Sequence, residues 1–365
     1  MSTRKLSGLF ALLALLTAWG CESEDSIEQG FDRQAMLLNY ASNVIVPAYE
    51  ALQTNAQALD NAAVAFAENP TAPALAEAQE AWRTAYQSWQ RSNAFNFGPA
   101  GEDGLTKALI EEIGTWPAAV NKIEAAIAEA DHSLAGFDRD ARGFLAIEYM
   151  LFGAEEAATV AQFTASPERG AHLKALTADL TGRVGEVVSA WPAYEQEFIS
   201  NDGTDVGSSA SQFYNEWVKS FESVKNFKVG LPAGKRPGQT EAAPELVEAR
   251  YSQTSLEQIK AHLQSIENIY YGGNPGDPGT SSLKTYLESV VGGEALVEQT
   301  ELQWANVKAA LEAIPTDKPF QELVANEDPS VDALHTELQK HTRFFKSDMS
   351  SLLGIAITFS SGDGD

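Results

Sequence analysis

Between Ile45 and Phe66 the apolar and small residues Tyr49, Leu52, Ala56, Leu59 and Ala63 follow one another in steps of four and three, with Leu38 one heptad earlier. That spacing draws a continuous stripe along one face of a helix and cannot serve the two-residue period of a strand. Pro47 falls within the stripe and predicts a kink, and Asn69-Pro70 ends it. A second helix carries Leu75, Ala78, Trp82, Ala85 and Trp89 at the same spacing and stops near Phe97-Gly98-Pro99. Small Ala against large Trp suits antiparallel bundle packing, so Trp82 and Trp89 read as core. Trp116 before Pro117 reads as an anchor at a helix start.

Further helices are expected at about 105–113, 117–130, 140–152, 168–199, 208–227, 254–270, 282–291, 294–313 and 330–356. Gly- and Pro-bearing breakers separate them, among them 230–238 and 272–279. The only alternating β-type run is Ile355 to Phe359, and it is short. The fold class is therefore all-α. A chain of 365 residues exceeds one simple bundle, so two helical-bundle subdomains are predicted, 32–160 and 161–365. The boundary is set near 155–167, where helical signals lapse. The loops 97–105 and 271–279 share a Gly/Pro-rich pattern, a faint echo consistent with two related bundles.

The first twenty residues have the form of an export signal. Arg4 and Lys5 precede fifteen uncharged residues, Leu6 to Gly20, and the only cysteine, Cys21, follows at once. Such an arrangement predicts lipidation at Cys21 and membrane attachment through that lipid, with residues 21–31 as a tether. An ordinary secretory signal with an incidental cysteine is the other reading. With Arg4 and Lys5 removed, 23 of the 25 basic residues remain against 51 acidic ones. A surface so acidic disfavours nucleic acid and anionic membrane and attracts cations. No later segment is apolar for long enough to span a bilayer.

No His-Glu-x-x-His, nucleophile elbow, phosphate loop or dinucleotide fingerprint occurs. The five histidines are scattered; His335 follows Asp332 by three and His341 follows Glu337 by four, which reads as two solvated surface pairs. Asn201 to Asp205 lacks the later Glu of a calcium loop, and Ser360 to Asp365 gathers oxygens without a fixed spacing, so both read as solvated loops. The run Gly143 to Gly153 is different. It sets one carboxylate, Glu148, among Phe, Leu, Ile and Met. Burying a lone carboxylate costs several kcal/mol, so Glu148 requires a partner, a raised pKa or a bound ion.

Gly143, Glu148, Tyr149, Leu151, Phe152 and Gly153 resemble the Gly-x-His-x-x-Glu and Tyr-Leu-Leu-Phe-Gly run of the imelysin-like proteins. Trp82, Trp89, Phe97-Gly98-Pro99 and Trp116-Pro117 fit the same family. So do Lys228, Gly230-Leu231-Pro232, Glu248, Ser252, Ser255, Tyr271-Gly272-Gly273 and the tail from Gly354, over about residues 32–365. The resemblance implies an exported, often lipid-anchored protein of two helical bundles related by a pseudo-twofold axis, with the motif near their junction. It implies a link to iron acquisition, and for one branch metallopeptidase activity. The departure is Leu145, which stands where the family has His and cannot bind a metal. Glu148 then has two readings: a buried charge held by hydrogen bonds or a basic residue, or a pocket carboxylate touching a ligand, a divalent cation or iron. No residue is assigned a catalytic role. The expected function is a non-catalytic binding protein of the bacterial envelope, in the outer membrane or periplasm, taking a metal ion, a metal-bearing ligand or an envelope protein. A metallopeptidase with a replaced ligand and a purely structural scaffold are the alternatives.

Overall fold

A computed structural model describes residues 30–102, 108–134, 136, 138–276 and 279–359. The signal, Cys21, most of the tether and Ser360 to Asp365 lie outside the described residues. The chain runs through fifteen α-helices in the described residues: α1 (Arg33–Tyr40), α2 (Val46–Glu68), α3 (Ala72–Ser92), α4 (Leu109–Ile113), α5 (Val120–Glu129), α6 (Gly143–Phe152), α7 (Glu156–Ala165), α8 (Pro167–Ser200), α9 (Ser209–Ser223), α10 (Ser255–Tyr271), α11 (Leu283–Glu288), α12 (Gly293–Glu312), α13 (Phe320–Ala325), α14 (Pro329–Arg343) and α15 (Ser350–Leu352). The fold is all-α, with no strand among the described residues. Ile355 to Phe359, the one β-type run, is irregular. Its backbone is held instead by Asn215, which donates to the Ala356 carbonyl at 3.0 Å and accepts from the Thr358 N–H at 2.8 Å.

Apart from Leu38, which is 48% exposed, the predicted stripes are the buried seams. Tyr49, Leu52, Ala56, Leu59, Ala63 and Phe66 are buried on α2, and Leu75, Ala78, Trp82, Ala85 and Trp89 on α3. α2 lies between α3 and α8, whose own seam runs from Leu173 through Leu180 and Val184 to Trp191. The interruption expected at Pro47 takes the form of a π-turn, Ala41–Ile45, placed where proline cannot supply an N–H to the preceding turn.

The helical lapse expected over 155–167 is not there: α7 occupies 156–165, and α8 then packs against α2, α5, α6 and α7. Alanine and threonine in place of large apolar residues left α7 with little periodicity to read. A second group of helices, α9, α10, α12 and α14, surrounds Trp217, Phe221, Trp304 and Phe345. α3 meets α10 between the two groups.

His341 is not the surface residue expected. It is fully buried against Phe221, Trp304 and Phe345, and burial holds its imidazole down at about 3. The reason is register: Leu334, Leu338 and His341 share the inward stripe of α14. Glu337 pairs with Lys340 at 2.7 Å, and Asp332 with Lys235 at 2.8 Å.

Candidate functional site

Helix α6 is apolar on nearly every side and is buried over Gly143 to Glu148 and at Met150 and Leu151. A helix of that kind has no solvent face on which to place a charge, so Glu148 is carried inward, 1% exposed. Gly143 opens the helix at φ +70°, and a Cβ there would lie 2.5 Å from the Ile113 carbonyl oxygen. Only glycine allows that approach. Gly143→Ala is expected to cost about 2 kcal/mol from backbone strain and the clash, read as a fall in urea midpoint.

Glu148 meets a loop from the other helical group. The Ser252 N–H and Ser252 Oγ–H both donate to Glu148 Oε1, each at 2.8 Å, and the Tyr251 backbone also donates to the carboxylate. Desolvation by burial outweighs these bonds and, with a smaller push from the negative charge of Glu248, raises the Glu148 carboxyl to about 7. Ala249 and Gln253, at φ +52° and +59°, bracket the turn that presents Ser252. Two non-glycine residues in the left-handed region within five positions mark a backbone held by its surroundings.

Beside Glu148 lies a second buried acid. Glu248, 4% exposed, accepts from Tyr86 Oη at 2.6 Å and pairs with Lys228, whose Nζ is 3.0 and 2.8 Å from its two oxygens. Lys228 also donates to Gln90 Oε1 at 2.6 Å and stands over the Trp116 ring at 5.9 Å. Burial pulls the Lys228 ammonium below its usual range, and Glu248 opposes that shift. Lys228 sits in a π-turn, Val224–Gly230, just ahead of Pro232.

The site therefore spans both helical groups, with Tyr86, Gln90 and Glu148 from one and Lys228, Glu248 and Ser252 from the other. Leu145, one turn before Glu148, is buried hydrocarbon at 3% exposure. Glu148 has one oxygen already occupied by Ser252, and Glu248 is neutralised by Lys228. Among the described residues no three His, Cys, Asp or Glu side chains converge as a cation cage. These donors do not fit a tightly held metal, which needs about three or four protein ligands.

Lys228, Glu248 and Ser252 were each part of the family pattern, but nothing in their spacing joins them to Glu148. Tyr86 and Gln90 were missed altogether. Their signal was present: they fall on the Trp82 and Trp89 face of α3, where polar groups are out of place. Trp116 also forms a wall of a cavity of about 340 Å³, lined as well by Ile110, Lys219, Ser220, Phe227, Leu231 and His262.

Two of the scattered histidines also meet elsewhere. His132 Nδ1 lies 3.2 Å from His172 Nδ1, and His132 Nε2 lies 2.8 Å from Glu168. Burial holds His172 down at about 4. No helix among the described residues is long and apolar enough to cross a membrane.

The family model for imelysin, peptidase M75, matches residues 45–344. Iron-regulated protein A of Synechococcus elongatus is 28% identical over 298 residues, covering 77% of each chain. The crystal structure of an iron-regulated protein A precursor from Parabacteroides distasonis superposes with a TM-score of 0.72 at 21% identity, covering 88% of this chain and 95% of that one. An imelysin-like protein from Psychrobacter arcticum gives 0.71 at 17% identity, covering 90% and 97%. At those identities the two structures establish the shared fold.

Proposed function

Because this chain belongs to the imelysin family, we propose that it is an exported, lipid-anchored binding protein of the cell envelope, serving an iron-linked process without cleaving peptides. The iron link rests on the relative named iron-regulated protein A. Export and anchoring rest on the charged start, the apolar run and Cys21.

The observation that carries the non-catalytic reading is the pairing of Leu145 with a Glu148 whose Oε1 is taken by two bonds from Ser252. A metallopeptidase needs a cation with an open position to polarise a carbonyl or activate water. Here one family ligand is hydrocarbon and the other is committed to a loop. The binding role is supported by the cavity between the two helical groups, which falls within the size range of small-molecule pockets.

The test is peptide and protein cleavage by the purified chain, before and after chelation and zinc repletion. No chelator-sensitive cleavage is expected. Zinc-restored turnover that Glu148→Gln abolishes would overturn the proposal.

A further inference from the structure

The Tyr271-Gly272-Gly273 motif takes no part in the Glu148 site. Gly272 ends α10 at φ +68°, and a Cβ there would lie 2.7 Å from the Ser282 Cβ, so only glycine lets the following loop fold back toward α1. Asn39 of α1 ties that loop down, its Nδ2 donating to the Gly272 and Ser281 carbonyls, each at 3.0 Å. Between the loop, α2, α3 and α10 lies a groove of about 290 Å³. Arg91 of α3 lines it and is exposed, and its guanidinium makes no hydrogen bond or ion pair among the described residues. In a chain with 51 acidic against 25 basic residues that is out of keeping. Lys219, Lys235, Lys122 and Arg142, which line other cavities, each have a carboxylate within 3.2 Å. No Asp or Glu among the described residues lines the Arg91 groove.

The amides beside Arg91 have their orientations fixed by neighbours. Gln264 Nε2 donates to Glu267 Oε2 at 3.1 Å, so the atom it meets on Asn268, at 3.0 Å, is Oδ1. Asn268 Nδ2 is therefore an unused donor, and it is open to solvent. Asn274 Oδ1 accepts the Gly276 N–H at 3.1 Å, which leaves its Nδ2 unused as well. Val44, Pro47, Ala48 and Ile269 supply hydrocarbon alongside. A cation would meet the like charge of Arg91, and a neutral molecule would strip water from the guanidinium without neutralising it. A planar carboxylate does neither, because both of its oxygens match the guanidinium fork. We propose that this groove binds a small organic anion, with its carboxylate on Arg91 and the Asn268 and Asn274 amides and its apolar body on Val44, Pro47 and Ala48. The groove is separate from the Trp116 cavity, and the assignment goes beyond the function proposed above.

Phenylacetate and phenylacetamide differ in that charge and little else, and titration calorimetry on the full chain compares them. Saturable phenylacetate binding is expected, with the amide about tenfold weaker or worse, since it forfeits the charge-assisted bonds. In Arg91→Gln the preference should vanish while the urea midpoint stays in place, because the side chain is exposed and unpaired. Arg91→Lys should keep part of the preference, having the charge without the fork. Inorganic phosphate, charged but without an apolar body, should bind more weakly than phenylacetate. Ala51→Trp, at an exposed position on the groove wall, should abolish binding of both phenyl compounds.

Equal affinity of the acid and the amide, or a preference that survives Arg91→Gln, would overturn the anion assignment. Phosphate that binds more tightly than phenylacetate would overturn the apolar body, and binding that survives Ala51→Trp would overturn the location. Failure of phenylacetate to bind overturns the proposal as a whole, and the peptidase assay above still stands as a separate test of the non-catalytic reading.

Discussion

Lys228→Met is expected to destabilise the protein by about 3–5 kcal/mol at pH 7, because it strands the Glu248 carboxylate in an apolar setting without its counter-charge. Lys228 and Glu248 are 2% and 4% exposed, so water cannot take over. Urea unfolding measures the loss. Converting both residues, Lys228→Met with Glu248→Gln, keeps an acceptor for Tyr86 and removes both charges, and more than half of the stability should return. A single-variant loss under about 1 kcal/mol would show that the pair is hydrated and that the junction is open.

Glu148→Gln should act in the opposite direction, and its effect depends on pH. The folded-state carboxyl sits at about 7, raised from 4.5 by burial. A raised carboxyl means that the fold favours the protonated form. Its contribution is intact below about pH 4.5 and is lost as pH rises through 7. Glutamine presents the same oxygen to Ser252 and never ionises. The variant should therefore match wild type near pH 4 and exceed it by about 3 kcal/mol at pH 8, the energy of that shift. Urea midpoints at the two pH values decide it. A variant weaker than wild type at pH 8 would mean that the ionised carboxylate has a partner stronger than Ser252.

The helical architecture was legible because apolar spacing at three and four residues survives in every long helix, from Leu52 and Trp82 to Leu180. α7 escaped because Ala157, Ala158 and Thr159 leave little contrast between its faces. His341 was misplaced because composition labels histidine polar, whereas its position on the α14 stripe had already committed it to the core. For the site, Glu148 was visible as a charge inside a greasy helix. Its partner was not, because Ser252 reaches it through tertiary folding over 104 residues, and no local period records that. The place of Trp116 on the cavity wall was hidden for the same reason: a residue beside a proline gives no hint of what will pack across from it.

The bond between Glu148 and Ser252 joins positions 104 apart in the chain. A ribosome releases the acid long before its donor loop exists, so the first helical group cannot complete its interior during its own synthesis. Until the later segment arrives, that acid either stays wet or takes up a proton. Fragments ending before residue 252 should then remain loosely packed around α6, and maturation of the whole body becomes a single late event rather than two successive ones.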